Sequence, residues 1–379
     1  MDSYSMRTAI VHYWLLNMRG GEQVVEAVCR LIPDADVFTL FYEPDRVSPL
    51  IRSHVVKASF LNPLRRHYRS LLPLFPVALE SFDLRGYDLV ISSESGPAKG
   101  VLTSSTTRHV CYCHSPMRYL WELYPAYLHD WTRPAWKRSL MAAVACQLRM
   151  WDFASAARVD EFVANSRNVQ RRIWKTYRRE SQVVYPPVAV ESYHWKPPAE
   201  YYLIVSELVA YKRVLDAVQV CSRTGRHLKI VGEGPEYACL KRQAGASVEF
   251  CGRVSSEELR ALYGRCRALL MPGEEDFGMV AVEAMASGKA VIALGRGGVL
   301  ESVLAGDGLG GIFYEEPGEL GLEEAVNRFE EVESFVQPAR LQLWATRFSE
   351  ARFREEMRQL IGLAGAETEM ARVPARMPA

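Results

Sequence analysis

The sequence predicts two Rossmann-like α/β domains, each built on a parallel β-sheet. Three observations lead to this prediction. The chain has 379 residues, too many for one ordinary α/β domain and enough for two. Short apolar runs alternate with helix-length segments along almost the whole chain, which is typical of successive βαβ units. Two proline pairs stand near the middle, where neither a helix nor a central strand accommodates them: Pro186 with Pro187 and Pro197 with Pro198.

Six strands are expected in the first half and five in the second. Those of the first half begin at Thr8, Asp36, Asp88, His109, Glu161 and Gln182. Those of the second half begin at Tyr201, His227, Val248, Ala268 and Ala290. Ligands of doubly wound domains bind at the carboxyl ends of the strands, so a cleft between two such domains is the expected site.

The domain boundaries follow from the prolines and from the pattern near the C-terminus. We expect an N-terminal Rossmann-like domain over residues 1–185, a proline-rich hinge over 186–200 and a C-terminal Rossmann-like domain over 201–345. Apolar residues at helical spacing predict a C-terminal helix over 346–364. Residues 365–379 lack such a pattern and are expected to be disordered.

Composition and charge exclude several classes of protein. The 46 Lys and Arg residues almost cancel the 45 Asp and Glu residues, so the chain lacks the basic field that nucleic-acid binding requires. The eight cysteines show no spacing typical of disulfides, as expected in a reducing compartment. We find neither a signal-peptide pattern nor an apolar stretch of transmembrane length, which predicts a cytoplasmic protein.

No metal site is expected. The run CYCH, residues 111–114, lacks a second ligand pair at a useful spacing. Asp34 and Asp36 form an Asp-x-Asp pair, but they precede a strand of the first half and are interpreted as turn and strand-edge residues.

The most informative segment is EEDFGMVAVEAMASG, residues 274–288. A loop with three acids precedes a helix expected over 278–287. Gly278 lets a ligand approach the N-terminus of this helix, where free N–H groups favour an anion. A carboxylate in the apolar surroundings of Glu283 is costly unless it is hydrogen-bonded, and sugar hydroxyls are suitable donors. On spacing alone, a solvated Glu275 and a Glu283 that caps a neighbouring loop are equally good interpretations.

Two cations, Lys212 and Arg213, stand near the start of the first helix of the second half. Positive charge gains nothing from the helix dipole at that end. A bound diphosphate would explain these two residues, and surface solvation is the other interpretation.

A third segment, residues 131–151, combines aromatic and basic residues beside an apolar helical pattern. This combination is typical of a membrane interface, and an amphipathic core helix with a basic outer face is the alternative. The residues concerned are Trp131, Arg133, Trp136, Lys137, Arg138, Arg149 and Trp151.

Together these segments resemble the retaining glycosyltransferases of family 4, which have the GT-B fold. The second half matches through SELVAYKR, VGEGPE, FCGRVSSEEL and the E-x7-E element from Glu275 to Glu283. The first half matches through RGGEQVVEAV, CHSPMRYLW and VDEFVANSRNVQRRIWKTY, followed by VVYPPV. The likeness implies two Rossmann-like domains that face each other across a cleft, the acceptor on the first and the donor on the second. It also implies that the C-terminal helix packs back on the N-terminal domain.

The resemblance implies roles for residues of the second half. Glu283 would hold the ribose hydroxyls of the donor, and Lys212 would neutralise its diphosphate. Glu275 would hold the transferred sugar and the distal phosphate, together with the backbone of Phe277, Gly278, Met279 and Val280. The Arg253–Val254 turn would border the base.

For the first half, the resemblance implies that Gly20 and Gly21 approach the phosphates and that His114 orients the sugar. A histidine hydrogen-bonded at a strand end is the alternative for His114. The chain departs from the family at Glu207, where an Arg is common. Preorganised cations at the diphosphate are usually the largest electrostatic contribution to such a reaction. Activity would then depend on Lys212 and on a substitute, for which Arg213, Arg253 and Arg296 are available.

The implied function is retaining, metal-independent transfer of a hexosyl group from a nucleotide diphosphate-sugar to a glycan or lipid-linked glycan acceptor in polysaccharide assembly. The donor is a substrate, and no cofactor is expected. The motifs look most like bacterial mannosyltransferases that use GDP-mannose, with UDP-glucose or another UDP-hexose as the second choice. The enzyme would work in the cytoplasm, with peripheral contact at the inner face of the cell membrane. Two alternatives stay open: a sugar-nucleotide epimerase and a weakly active or non-catalytic nucleotide-sugar binder.

Overall fold

The computed structural model describes residues 6–128, 135–306 and 310–363. The expected disordered tail therefore lies outside the described residues. The described strands form two parallel sheets, one of seven strands in the order β3-β2-β1-β4-β5-β6-β7 and one of six in the order β10-β9-β8-β11-β12-β13. The strands are β1 (Thr8–His12), β2 (Asp36–Thr39), β3 (Val56–Ala58), β4 (Leu89–Glu94), β5 (Arg108–Cys113), β6 (Glu161–Ala164), β7 (Ser181–Val183), β8 (Tyr202–Val205), β9 (Leu228–Val231), β10 (Val248–Gly252), β11 (Ala268–Met271), β12 (Ala290–Leu294) and β13 (Gly311–Tyr314).

Helices connect these strands, as parallel pairing requires. The α-helices are α1 (Gly20–Leu31), α2 (Pro49–Ser53), α3 (Phe75–Glu80), α4 (Tyr124–Leu128), α5 (Ala135–Ser155), α6 (Arg167–Tyr177), α7 (Val214–Thr224), α8 (Tyr237–Gln243), α9 (Ser256–Arg265), α10 (Met279–Ala286), α11 (Val299–Ser302), α12 (Glu319–Val332), α13 (Pro338–Ala345) and α14 (Glu350–Ile361). Short 3₁₀ segments span Pro44–Arg46, Asn62–Leu74, Ala98–Gly100, Ala156–Arg158, Val190–Ser192, Ala210–Lys212, Glu333–Phe335 and Thr346–Phe348.

The six-stranded sheet is covered on both faces. Along β12, Val291 and Ala293 belong to one apolar cluster, whereas Ile292 and Leu294 belong to another. Because successive side chains of a strand point to opposite faces, the two clusters lie on opposite sides of this sheet. Burial on both faces explains why these strands are continuous apolar runs in the sequence.

The chain divides into two compact units, and neither is continuous in sequence. Of the described residues, the first unit holds 6–112, 135–162 and 351–363. The second unit holds 113–128, 163–306 and 310–350. This division differs from the expected boundary at residue 185.

Side-chain contacts explain why parts of the N-terminal half group with the second unit. The carboxylate of Asp276 forms ion pairs with both Arg118 and Arg172. The first amides of α6, those of Arg167 and Asn168, donate to the carboxylate of Glu301 at 2.8 and 2.9 Å. A carboxylate at a helix N-terminus is stabilised by the free N–H groups there.

Helix α14 groups with the first unit from Ala351 onward. The ring of Phe353 packs edge-on against Tyr112 with 5.6 Å between centroids. Arg108 donates a hydrogen bond of 2.8 Å to the carbonyl oxygen of Leu360, the penultimate residue of the helix.

Helix α5 carries part of the aromatic segment of residues 131–151. Its Trp151 donates a hydrogen bond of 2.8 Å from Nε1 to Glu80, and its ring packs tightly against Gly100. Trp151 is therefore a packing residue, as the core-helix interpretation predicted, whereas Trp136 is 65% exposed. Trp131 and Arg133 lie outside the described residues. None of the described helices combines the length and the apolar character needed to cross a bilayer.

Candidate active site

The acidic loop of the second unit connects β11 to α10 and ends at Gly278. This glycine has a φ of +89° and directly precedes the helix. A Cβ at this position would lie 3.2 Å from Cε of Met271 and would require a strained left-handed backbone. Glycine therefore allows the sharp turn that joins the loop to α10, where the first amides have no partners within the helix.

Lys212 and Glu275 form an ion pair at this loop. Their side chains are 16% and 21% exposed. Gly273 brings the two segments together, because a Cβ there would lie only 2.6 Å from Cα of Lys212. Burial lowers the pKa of Lys212, but the charge of Glu275 and the hydrogen bond between them raise it more, so the net shift is upward. Lys212 is therefore a permanent ammonium group at neutral pH.

A second cation, Arg118, contacts the same tyrosine ring as Lys212. The Lys212 Nζ and the Arg118 Cζ each lie 5.3 Å from the centroid of the Tyr211 ring, so they are at most 10.6 Å (5.3 + 5.3) apart. Arg118 is 15% exposed and forms an ion pair of 3.3 Å with Asp276. Its buried Nε has no hydrogen-bond partner, and the Glu122 carboxylate lies 3.6 Å away. Arg118 thus has donor capacity that its described neighbours leave unused.

Arg172, on α6, holds the other two acids of the loop. Its guanidinium lies 2.7 Å from Glu274 and 2.7 Å from Glu122, and it also bonds Asp276. The side chain is only 10% exposed, so these are strong charge-assisted contacts. Because Arg172 holds Glu274 and Asp276, Glu275 is the loop acid that pairs with Lys212.

Glu283 lies on α10 and is 7% exposed. Tyr263 donates to its Oε2 at 2.7 Å, and Tyr193 donates to the same carboxylate. Burial raises the pKa of Glu283, and the two tyrosine hydroxyls lower it by a smaller amount. The carboxylate therefore lies in surroundings where its hydrogen bonds with hydroxyl groups are strong.

His114 follows β5 and is half-buried. Burial lowers its pKa to about 4, and the charge of Asp276 opposes this shift. The imidazole is consequently neutral at pH 7, with one nitrogen as donor and the other as acceptor. This form suits a hydrogen bond to a sugar hydroxyl.

The remaining donor-site candidates of the second unit are placed as follows. Glu207 is half-buried directly after β8, and Val254 is half-buried after β10 next to the exposed Arg253. Arg213 bonds Asp216 at 2.8 Å, and Arg296 donates to the carbonyl oxygen of Glu315 at 2.9 Å. The ring of Phe277 is buried against Tyr185 and Phe348, which leaves its backbone for a ligand. Met279 and Val280 are half-buried in the first turn of α10.

Gly20 and Gly21 are the first residues of α1, in the first unit. This helix start carries a capping interaction, in which the Arg19 amide donates to Glu22 at 3.0 Å. The two glycines thus stand at a helix N-terminus, as a phosphate-binding role requires.

The structure brings Lys212, Glu275 and Gly278 together and sets Arg118 beside them. Sequence reasoning did not single out Arg118, Arg172, Tyr193 or Tyr263. The two arginines lie within the motifs CHSPMRYLW and VDEFVANSRNVQRRIWKTY, which could have pointed to them. No pattern in the sequence points to the two tyrosines, because their partner Glu283 lies 20 or more residues away. Among the described residues, no group of three or more potential metal-ligating side chains is found.

Two family models match the chain in succession. Residues 18–192 match Glycosyltransferase Family 4, and residues 190–342 match Glycosyl transferases group 1. These matches confirm the family resemblance of both halves.

Curated relatives and solved structures agree with this assignment. An uncharacterized glycosyltransferase of Methanocaldococcus jannaschii is 27% identical over 172 residues, which cover 44% of this chain and 48% of that protein. The lipopolysaccharide 1,2-N-acetylglucosaminetransferase of Salmonella typhimurium is 35% identical over 107 residues, 24% of this chain and 28% of that protein. The chain thus spans about half or less of the length of these relatives.

Anabaena HepE, solved in complex with UDP and glucose, superimposes with a TM-score of 0.69 at 16% identity. The superposition covers 94% of this chain and all of that one, and at this identity it is evidence for the fold. Residues 18–192 and 190–342 thus match the models of a glycosyltransferase family 4 domain and a glycosyl transferases group 1 domain, and the fold of the chain is that of GT-B glycosyltransferases.

Proposed function

We propose that this protein transfers a hexosyl group from a nucleotide diphosphate-sugar to a glycan or lipid-linked glycan, with retention of configuration and without a metal. The observation that carries the proposal is the Lys212–Glu275 pair beside the glycine-led start of α10. A cation, a carboxylate and free helix amides at one place match the charge and hydroxyl groups of such a donor.

In this proposal the amides at the start of α10, from Gly278 to Val280, bind the distal phosphate. Lys212 turns from Glu275 to the diphosphate, and Glu275 then accepts hydrogen bonds from the hydroxyls of the transferred sugar. Glu283 accepts hydrogen bonds from the ribose. His114, neutral at pH 7, orients the sugar.

Retention follows from a front-face substitution. The bond from the anomeric carbon to the phosphate oxygen breaks while the acceptor hydroxyl oxygen bonds to the same face of that carbon. The hydroxyl proton passes to the departing phosphate oxygen. Negative charge develops on the diphosphate as it leaves, so fixed cations there lower the barrier.

Arg118 is the second cation of this proposal. The usual arginine is replaced by Glu207. Of the three substitutes, Arg213 and Arg296 are already bonded to Asp216 and to the Glu315 carbonyl, and Arg253 is exposed. Arg118 lies next to Lys212 at the Tyr211 ring and carries an unused buried donor. We therefore assign to Arg118 the charge that Glu207 does not supply.

The motifs support GDP-mannose as the donor, and the complexes of HepE with UDP and with UDP-glucose support a UDP-hexose as the second choice. We assign a phosphate-binding role to Gly20 and Gly21, and the binding of the acceptor to the first unit. We place the reaction in polysaccharide assembly in the cytoplasm, at the inner face of the cell membrane, where a lipid-linked acceptor would be available.

Thermal shift with UDP, GDP, ADP and their sugars identifies the donor, because a ligand that binds only the folded state stabilises it. Proton NMR of the product then gives its anomeric configuration. An inverted product, or loss of activity with EDTA that Mg²⁺ or Mn²⁺ restores, would contradict the proposed mechanism.

Incubation with the donor alone separates this function from its alternatives. A transferase hydrolyses the donor slowly or leaves it unchanged. Conversion to an epimeric sugar nucleotide would instead identify a sugar-nucleotide epimerase. Binding without hydrolysis, and without transfer to any acceptor, would identify a non-catalytic nucleotide-sugar binder.

A further inference from the structure

One stretch of the first unit combines positive charge with exposed apolar side chains. Between Arg46 and Leu79 the chain contains six Lys and Arg residues and no Asp or Glu. The whole chain has nearly equal numbers of both signs, so this stretch differs from the average surface. We call residues 55–77 the basic apolar segment.

The inner side of this segment packs on the core of the first unit. Tyr68, Leu71 and Leu72 are half-buried against the cluster that contains Phe41 and Phe75. The outer side leaves five large apolar side chains 45–60% exposed, namely Val55, Phe60, Leu64, Leu74 and Val77. Single exposed apolar residues are ordinary, but five within 23 residues are a high local concentration of exposed apolar side chains.

The cations of the segment stand between these apolar side chains. Arg65 is bound to Glu43 at 2.7 Å and Lys57 to Asp36 at 2.8 Å. Arg66 is exposed and makes no hydrogen bond or ion pair with the described residues, and the exposed Arg69 lies over the Tyr68 ring. Two guanidinium groups are therefore held at the surface next to Leu64.

We propose that the basic apolar segment binds the surface of an anionic lipid bilayer. Isolated apolar side chains separated by cations match the boundary between acyl chains and acidic head groups. A surface that binds a protein partner would instead be a continuous apolar patch with few charges at its centre. The proposal rests on the proposed function, because it specifies how a lipid-linked acceptor is reached. It places the membrane contact at Phe60 and Leu64 instead of at the aromatic and basic segment of residues 131–151.

The test is flotation of the full-length protein with vesicles of phosphatidylcholine alone or mixed with phosphatidylglycerol. We expect binding to the anionic vesicles at low salt. The variant Arg66→Gln/Arg69→Gln should bind roughly 25-fold more weakly, about fivefold for each charge. The variant Phe60→Ser/Leu64→Ser should lose binding even at low salt.

The matched control is Leu320→Ser/Leu343→Ser, which alters two leucines of the second unit that are 76% and 72% exposed. It should bind like the unaltered protein. Trp136→Ser tests the alternative surface on α5. Equal binding by all variants, equal flotation with neutral vesicles, or a loss confined to Trp136→Ser would overturn the proposal. If the protein forms a dimer, a variant of the basic apolar segment could make it monomeric without changing vesicle binding. That result would show that the segment binds a second copy of the chain and not a bilayer.

Each variant is also titrated with nucleotide-sugars by thermal shift, which reports the donor site without a membrane. Unchanged donor binding with lost flotation supports the proposal. Flotation of a protein that shows no transferase activity would support the lipid-binding surface and contradict only the proposed function.

Discussion

The Tyr263 hydroxyl donates a 2.7 Å hydrogen bond to the Glu283 carboxylate. Burial raises the pKa of Glu283, and this bond lowers it. The charged form, which is the form proposed to accept the ribose hydroxyls, is lost as pH falls through this raised pKa. Removing the Tyr263 hydroxyl raises the pKa further and moves that loss to higher pH.

Tyr263→Phe is therefore expected to raise the KM for the donor about tenfold at the acidic end of the pH profile and less at its alkaline end, with little change in kcat. KM is measured as a function of pH. Tyr202→Phe is the control, because Tyr202 is also buried and donates to Glu330 at 2.8 Å in the same unit. The same effect in both variants, or none that depends on pH, would contradict the role of Tyr263.

Lys212→Ala should lower kcat by roughly 10²- to 10³-fold, because it removes the charge that faces the departing diphosphate. Initial rates at saturating donor check this expectation. Lys229→Ala removes a lysine of the same unit that pairs with Glu249 at 2.7 Å, and it should leave kcat unchanged. A fully active Lys212→Ala variant would show that Lys212 has no role in the mechanism.

Arg118→Gln should lower kcat about 10²-fold if Arg118 supplies the second positive charge at the diphosphate. Glu207→Arg alone should raise kcat or donor affinity modestly, because Arg118 already compensates for the missing cation. In the double variant, Glu207→Arg should restore most of the loss caused by Arg118→Gln. This double-mutant cycle reports coupling between the two positions. Strictly additive effects would show that Arg118 acts elsewhere.

Glu22 is expected to make the stability of the protein depend on pH. Burial raises its pKa from 4.5 to about 7, so the folded protein binds a proton that the unfolded chain releases between these values. The contribution of the protonated carboxyl to stability is fully present below pH 4.5 and is lost as pH rises through 7.

Glu22→Gln keeps an acceptor for the Arg19 amide and removes the buried charge. Its free energy of unfolding, relative to that of the unaltered protein, should therefore rise by about 3 kcal/mol between pH 4.5 and pH 8. Urea unfolding at several pH values measures this difference. Glu26→Gln, on the same helix, should show no such trend. A constant difference over this range would indicate that Glu22 is not buried as a carboxyl group.

The sequence predicted eleven of the thirteen described strands, because an apolar run between helices is a strong local signal. It missed β3 and β13, which are edge strands of three and four residues; β3 has little burial, and β13 begins at a glycine, Gly311. The helix expected over 278–287 was confirmed as Met279–Ala286. The C-terminal helix expected over 346–364 corresponds to α14, Glu350–Ile361.

The candidate site was predictable where the motifs are local. The position of Gly278 at the start of α10 follows from the fifteen residues 274–288. The pairing of Lys212 with Glu275 and the two tyrosines at Glu283 depend on chain crossings, which spacing along the sequence does not encode. Arg172 shows the limit most clearly, because its partners Glu274 and Asp276 lie about one hundred residues away.

Helix α14 has a consequence for how the protein is made. The first unit needs Phe353 against Tyr112 and the Leu360 carbonyl against Arg108, although most of its residues precede position 163. During synthesis these early residues leave the ribosome long before the helix that completes their unit. The first unit can therefore reach its full stability only after α14 has been synthesised, and a truncation before residue 350 would destabilise the amino-terminal part of the protein.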